Sequence, residues 1–244
     1  MFKARICLAG LTLAVAASAA QAAVSFTPAV TSDYDYRGLS QSATRTALQL
    51  GADYNQGAFH ANTKVSTMQF GPSFRGNMEW DAQADYTYGS GETYKVQIGV
   101  LARTFPSNSG YNITEPFVTV SKDWLSVSAH YTNDFRLAGK AWYTEANGSY
   151  PVGQTGYKVA GHVGHSKGDA WNGSLAGIST YTDWSLGVSK TVFGKVDASV
   201  KYVTSDAREL TNGQSLATFG YRNVFETRDR VILTLSTTLD WTSK

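Results

Sequence analysis

Residues 78–88 read MEWDAQADYTY, in which apolar and polar side chains alternate at every position. Successive side chains of a β-strand point to opposite faces, so this stretch predicts a strand with one apolar face and one polar face rich in carboxylates. A strand of about 9–11 residues is long enough to cross a bilayer when tilted. The segment therefore predicts β-structure and leaves one question, whether its apolar face meets a protein core or lipid.

The same alternation recurs along the chain and predicts an all-β fold with about twelve antiparallel strands. A weaker candidate at 216–225 is assigned to the last long loop, because an odd strand number would place the two chain ends on opposite rims of a barrel. The twelve predicted strands cover residues 24–37, 46–55, 57–68, 77–88, 93–104, 115–122, 124–134, 141–151, 156–166, 179–192, 194–205 and 230–241.

The connections between these strands alternate in length, which is a second, independent signal. Short turns are predicted at 55–57, 89–92, 122–123, 152–156 and 193–194, and long loops at 39–45, 69–76, 106–114, 135–140, 167–178 and near 206–229. Short turns on one rim and long loops on the other are typical of a transmembrane β-barrel of the outer membrane. Aromatic residues near strand ends would form its two interfacial girdles. They are Tyr34, Tyr36, Tyr54, Tyr88, Trp124, Tyr131, Trp142, Tyr150, Tyr157, Trp184, Tyr202 and Trp241.

The N-terminus has the pattern of an export signal. Residues 1–22 carry Lys3 and Arg5, then an apolar run over 6–17, and end on Ala20-Gln21-Ala22, which indicates a signal peptide followed by one barrel domain over 23–244. Removing the two basic residues from 21 Lys+Arg leaves 19, equal to the 19 Asp+Glu. The mature chain is then formally neutral and free of cysteine, which argues against a nucleic-acid partner, a disulfide scaffold and a thiolate metal site.

A soluble, secreted β-sandwich or lipocalin-like barrel is the main alternative fold, because its strands alternate as well. Two points count against it. Twelve apolar stripes would overfill the interior of a soluble barrel, and strands in soluble proteins are typically about 5–6 residues long. No run after residue 22 is long and apolar enough for a transmembrane helix, so membrane residence requires a closed barrel.

The end of the first predicted strand carries the motif Thr31-Ser32-Asp33-Tyr34-Asp35-Tyr36-Arg37-Gly38-Leu39-Ser40-Gln41-Ser42. It resembles the N-terminal signature of the TorF family of porins from Gram-negative bacteria, which share the leader, the length and the hairpin strands. The resemblance implies an outer-membrane barrel with porin activity. Its motif residues in this chain are Ser32, Tyr34, Tyr36, Arg37, Gly38, Ser40 and Gln41.

Within this motif, Gly38 permits a tight backbone turn, and Arg37 shares the strand parity of Asp33 and Asp35 and is expected to pair with them. Such barrels usually end on an aromatic residue, whereas Thr242-Ser243-Lys244 follow Trp241 here. The barrel assembly machinery would then recognise an internal Trp241, or the last three residues are expected to be flexible.

If the apolar parity faces lipid, the polar parity lines the lumen and supplies candidate selectivity residues. Rings of charged side chains set ion selectivity in pores, but side chains of mixed sign also pair across strands and fill a narrow barrel. The sequence leaves both interpretations open for twelve strands, with Lys95, Arg103 and Lys201 among those expected at mid-depth. The candidates are Asp53, Lys64, Glu79, Asp81, Asp85, Lys95, Arg103, His130, Glu145, Lys158, His162, Asp197 and Lys201.

The predicted function is passive diffusion of small hydrophilic solutes or ions, with outer-membrane lipid as the surroundings. No nucleotide, zinc or nucleophile motif occurs, so no enzyme activity, cofactor or metal is predicted. An outer-membrane hydrolase is a weaker alternative, but His165-Ser166 cannot act as a base and nucleophile pair, because strand neighbours point to opposite faces. A non-conducting barrel with a binding surface on its loops is the alternative, with Tyr111, Phe135, Trp171 and Phe219 as candidate anchors.

Overall fold

A computed structural model describes residues 22–72, 76–89, 94–172, 180–207 and 222–241, together with positions 214, 217, 218 and 220. Within them the chain forms a closed antiparallel barrel of twelve strands, which confirms the predicted fold class. The strands are β1 Ala23–Thr31, β2 Ala47–Gln56, β3 Phe59–Thr67, β4 Met78–Tyr88, β5 Lys95–Thr104, β6 Ile113–Lys122, β7 Leu125–Thr132, β8 Ala141–Pro151, β9 Tyr157–Lys167, β10 Tyr181–Val192, β11 Val196–Ser205 and β12 Arg230–Ser236, which resumes as Leu239–Trp241. Single helical turns occur at Ser109–Tyr111 and Asp169–Asn172.

The barrel closes between its first and last strands, and a proline explains the gap in β12. Thr31 pairs with Thr234 and Val24 pairs with Trp241, so one register runs through both parts of β12. The interruption at 237–238 lies opposite Pro28, which has no N–H to donate to the ladder. The carbonyl of Pro28 still accepts a 3.2 Å hydrogen bond from the Thr237 amide.

The barrel is apolar outside and polar inside. In β4, Trp80 is 51% exposed, whereas Glu79 is fully buried and Asp81 is 4% exposed. A soluble barrel would have the opposite arrangement, with its apolar side chains packed in the interior. Helices long and apolar enough to cross a membrane are absent from the part of the chain that the structure describes.

The two rims differ as the sequence predicts. Short connections join β2 to β3, β4 to β5, β6 to β7, β8 to β9 and β10 to β11, and both ends of the barrel chain lie on this short-turn rim. The other connections are long. The described part of the last one, 206–229, contains no strand.

The first strand is shorter than predicted, and this is the main correction to the fold. β1 ends at Thr31 rather than at residue 37, and residues 32–46 turn into the lumen. Tyr34 and Tyr36 therefore lie inside the barrel and not in an interfacial girdle. Tyr34 is 5% exposed, in contrast to Trp142 at 52% on the outer surface.

The long loops close over the lumen through a hydrophobic cluster. Phe135, a candidate surface anchor, is 3% exposed within it, whereas Tyr111 is 37% exposed. The Trp171 side chain and Phe219 lie outside the described residues. The cluster consists of Leu39, Ala43, Met68, Phe70, Phe105, Ile113, Phe135, Ala141, Ala170, Tyr181, Ala207, Val224 and Phe225.

Candidate functional site

The motif near the N-terminus forms a small β-hairpin inside the barrel, here called the inner hairpin (residues 32–46). Asp35–Tyr36 pairs with Leu39–Ser40 across a two-residue turn. Arg37 and Gly38 in that turn have φ angles of 53° and 78°. Two consecutive positive φ values are typical of a type I′ turn, which suits tight hairpins. A Cβ at residue 38 would lie 2.6 Å from the Cβ of Asp183 on β10, so the hairpin tip reaches the barrel wall.

Short polar side chains hold the inner hairpin in its own fold. The Asp33 carboxylate accepts hydrogen bonds from the hydroxyls of Ser40 at 2.5 Å and Ser42 at 2.9 Å. Ser42 Oγ accepts a bond from the Tyr34 amide, and the Gln41 amide donates to the Tyr34 carbonyl. Ser32 remains at the rim, where its amide donates to the Leu233 carbonyl. The motif therefore encodes a compact fold as well as contacts to the wall.

Buried ion pairs fix the inner hairpin to strands on opposite sides of the barrel. Arg37 makes a bidentate pair with Glu115 on β6, at 2.8 and 2.9 Å. On β12, Arg230 Nε lies 2.9 Å from Asp33 and its Nη2 lies 2.8 Å from Asp35. The expected pairing of Arg37 with Asp33 and Asp35 is therefore wrong. The I′ turn carries Arg37 across the lumen, and a basic residue from the last strand takes its place.

A second network joins the hairpin to β3, β4 and β5. Glu79 is hydrogen bonded to the Tyr34 hydroxyl, and Arg103 Nε lies 3.2 Å from Asp81. Lys64 Nζ lies 3.3 Å from Asp81. The Arg103 guanidinium also stacks on the Tyr36 ring, 3.7 Å from its centroid. Residues of mixed sign thus neutralise one another at this level, as the second interpretation of the lumen charges anticipates.

Two histidine networks lie in the lumen wall. His162 on β9 lies between neighbouring strands, with Nε2 2.8 Å from Asp183 and Nδ1 2.7 Å from the side-chain oxygen of Asn147. Glu145 lies 3.5 Å from both His130 and His162.

On the far wall, His60 lies between Asp85 at 2.9 Å and Asp53 at 3.4 Å. Within the described ranges, no group of three or more His, Cys, Asp or Glu side chains has an arrangement that could hold a metal ion.

Three of the candidate selectivity residues lie at the rim. Lys95, Lys158 and Asp197 have the inward parity, but they stand at or near the short-turn ends of their strands and are exposed. Lys95 is the first residue of β5, so its expected position at mid-depth is wrong. Lys201 lies deeper, and its ammonium is 3.1 Å from Asp35 of the hairpin. Parity predicts the face of a strand but not the depth along it.

Several residues that build the site were not among the candidates. Glu115 lies on a face that it shares with Ile113 and Phe117, so it does not look polar. Asp183 and Arg230 could have been predicted as lumen residues from the sequence. Asp183 has the parity of the polar residues that follow it in β10, and Arg230 is the first residue of β12.

The role of Arg136 is not predicted by the sequence either. It lies in a long loop, and the alternation of apolar and polar residues gives no information on side chains in loops. It is 5% exposed and donates a 3.0 Å hydrogen bond to Gln41 of the hairpin. Its guanidinium lies 5.2 to 5.7 Å from the ring centroids of Phe70, Phe105, Phe135 and Phe225, which come from four loops. Burial lowers the pKa of Arg136 below its usual range. One cation thus joins the loop cluster to the inner hairpin.

Below the inner hairpin, on the short-turn side, the lumen widens into a cavity of about 750 Å³, here called the chamber. Asp35, Tyr36 and Arg37 form its roof, and its lining reaches Asp123 in a short turn. Its walls come mainly from β7 to β11, where many of the inward residues are small. They include Ser126, Ser185, Gly187, Ser189 and Ser199.

Comparisons with known proteins agree with the fold. A family described as "Bacterial protein of unknown function (Gcw_chp)" matches residues 15–238, and the match carries that description and not the TorF name. No curated protein matches the sequence.

Among solved structures, the chain is similar to the KdgM porin, with 12% identity, a TM-score of 0.52, and coverage of 88% of this chain and 97% of that one. It is also similar to the NanC porin, with 11% identity, a TM-score of 0.54, and coverage of 91% and 100%. At these identities the likeness is one of fold.

Proposed function

We propose that this chain, which belongs to the Gcw_chp family of bacterial proteins, is an outer-membrane channel for small hydrophilic solutes or ions. The observation that carries the proposal is the inside-out barrel, in which apolar side chains face outward around a charged interior. Outer-membrane lipid would cover the apolar surface, after insertion by the barrel assembly machinery. The similar solved structures are porins and not enzymes, which supports a transport role.

The inner hairpin is the element that controls passage in this proposal. It contacts β3, β4, β5 and β6 on one side and β10, β11 and β12 on the other. The loop cluster and Arg136 lie above it, and the chamber lies below. We therefore infer that the structure represents a closed state and that solutes pass when the hairpin is displaced. Positive φ at Arg37, Ala43 and Thr44 marks backbone strain within the hairpin.

The pairing of Thr31 with Ala47 provides a direct test, because the two strands already face each other at the base of the hairpin. Residues 33–45 can be replaced by a short Gly-Asn-Gly turn without changing the barrel register. Single-channel conductance would be measured in planar bilayers under a KCl gradient. We expect rare openings for the mature protein and steady open steps for the variant, with a conductance at least tenfold higher on time average. A correctly folded variant that gives no steps would contradict the proposal.

A non-conducting barrel is the second candidate, and the closed loop cluster favours it. In that case the hairpin would be a permanent part of the interior, held by the buried pairs of Arg37 and Arg230. The two candidates differ in one result. If the native protein gives no conductance at any voltage or salt concentration while the hairpin-deleted variant conducts, the native barrel is permanently closed. Its loops would then be the surface to test for a binding partner.

A further inference from the structure

The chamber has the size and access of a ligand site. Its volume of about 750 Å³ lies within the range of small-molecule pockets, which is about 300–1,000 Å³. Its lining runs from the inner hairpin down to the turn between β6 and β7, so a solute can enter from the short-turn rim. Entry by this route does not require the hairpin to move. A ligand could therefore bind whether or not the barrel conducts.

The shape of the chamber follows from an uneven distribution of side chains around the lumen. The wall formed by β7 to β11 carries serine, glycine and alanine at inward positions, whereas β4 and β5 carry Gln83, Asp85 and Gln97 at comparable depth. The space is thus eccentric and lined by hydroxyl groups. Such a lining can bind the polar part of a small molecule.

The chamber lining carries more acidic than basic side chains. Asp35, Asp123, Glu145 and Asp183 line the chamber, against Arg37 and Lys201. Both basic groups are already paired, Arg37 with Glu115 and Lys201 with Asp35. With the imidazoles of His130 and His162 counted as neutral, four carboxylates against two paired bases make the lining acidic overall.

Glu145 is the group that a ligand would meet. Its side chain is 22% exposed, its two oxygens lie 3.5 Å from His130 and His162, and its carboxylate accepts hydrogen bonds from His130 and Asn147. Asp183, by contrast, is 2% exposed and accepts bonds from His162 and from the Tyr143 hydroxyl. A carboxylate that is open to a confined, largely protein-walled space attracts cations strongly, because the walls focus its field.

We propose that the chamber binds a small organic cation, with the ammonium group of the ligand against the Glu145 carboxylate and its polar remainder against the serine wall. This goes beyond passive diffusion, since it assigns a saturable site to the short-turn side of the barrel. An inorganic cation is a poorer fit, because the described residues supply no metal-binding cluster there.

The test uses three probes of similar length that share one hydroxyl end and differ in the group and charge at the other end: 4-hydroxybutylammonium, 4-hydroxybutyrate and butane-1,4-diol. Binding to the mature protein, refolded in a non-ionic detergent, would be followed by isothermal titration calorimetry. We expect saturable, one-to-one binding of the cation, with an affinity at least tenfold higher than that of the diol or the anion. Equal binding of the three probes, or no binding of the cation, would overturn the proposal.

Variants assign the effect to the chamber. Glu145→Gln should weaken cation binding at least tenfold. Ser199→Trp retains every charge but occupies the chamber, and it should abolish binding as well. Asp240→Asn removes an exposed carboxylate outside the chamber lining and should leave the affinity within about twofold. Heat-modifiable electrophoresis would verify that each variant is a folded barrel.

A failure of this proposal is distinguishable from a failure of the channel proposal. Calorimetry in detergent reports binding without any transport, and planar bilayers report conduction without any binding. If Glu145→Gln binds the cation as well as the parent protein does, the ligand is held elsewhere and the assignment to Glu145 is wrong, whatever the conductance.

Discussion

The ion pair between Arg37 and Glu115 gives the sharpest test of how the inner hairpin is held. The two side chains are 8% and 4% exposed, and two parallel hydrogen bonds of 2.8 and 2.9 Å join them. We consider Arg37→Met, Glu115→Gln and the double variant. Each single variant removes one partner of the pair and leaves the other partner without its counter-charge in a buried position.

The expected magnitude follows from this geometry. Breaking a buried pair by removing one partner costs about 3–5 kcal/mol, because the remaining charge is left uncompensated. Two charge-assisted hydrogen bonds at about 1.5–3 kcal/mol each give a similar sum. The inner hairpin can leave the lumen when its contacts with the wall become unfavourable. The loss in the free energy of unfolding therefore cannot exceed the free energy of those contacts, and we expect about 3 kcal/mol for either single variant. The double variant should lose about the same amount and not twice as much, which corresponds to a coupling energy of about 3 kcal/mol.

The assay is urea unfolding of the refolded barrel in lipid vesicles, followed by tryptophan fluorescence. Lys158→Met is a matched control, because Lys158 is an exposed basic residue at the short-turn end of β9. Substitution of such a surface residue changes the free energy of unfolding by at most about 0.5 kcal/mol. If the losses of the two single variants simply add, with a coupling energy below about 0.5 kcal/mol, the pair does not hold the hairpin and the reasoning fails.

Further predictions concern packing, pH and the loop cluster. Gly164→Ala should lower the free energy of unfolding by about 1–3 kcal/mol, because its Cβ would lie 2.0 Å from the Tyr143 hydroxyl oxygen; Gly161→Ala on the same strand meets nothing within 4 Å and should cost no more than about 0.5 kcal/mol in the same urea titration. Burial alone would raise the pKa of Glu226, but hydrogen bonds from Arg228 outweigh it and hold that pKa below its usual range. Its stabilising contribution is therefore present above about pH 4.3 and is lost as the pH falls through the folded value. Pepsin cleavage in the 206–229 loop, divided by the rate for Glu226→Gln at the same pH, should rise below about pH 4, and a constant ratio would contradict this reasoning. Arg136→Ala should increase the frequency of channel opening in planar bilayers, because it removes the hydrogen bond to Gln41 and the contacts with four rings; an unchanged opening frequency would show that the loop cluster does not restrain the hairpin.

The barrel could be predicted from the sequence because its information is local. Alternation within Met78–Tyr88 and its counterparts determines which side chains face outward, and loop lengths determine which rim each connection joins. The break in β12 at Thr237 and Thr238 is an exception. It could not be predicted from the residues around it, because it depends on Pro28 at the far end of the chain.

The inner hairpin could not be predicted in the same way. Asp33, Tyr34, Asp35 and Tyr36 alternate just as a strand does, so local pattern extends β1 to residue 37. What turns this segment inward is its set of partners, Glu79, Glu115 and Arg230, which lie tens to nearly two hundred residues away. The chamber could not be predicted either, because parity places Glu145 and Lys201 on the inner face but does not identify their partners.

The direct pairing of Thr31 with Ala47 has a consequence for how such a protein can change. The ladder between β1 and β2 is complete without the segment between them, so that segment is an insert carried by the barrel and not a part of its wall. Substitutions in it alter what occupies the pore while the strands, their register and their lipid-facing surface stay the same. The barrel can thus serve as a constant frame for interchangeable interiors, and new permeation properties could arise, in nature or by grafting, through exchange of one contiguous stretch of chain.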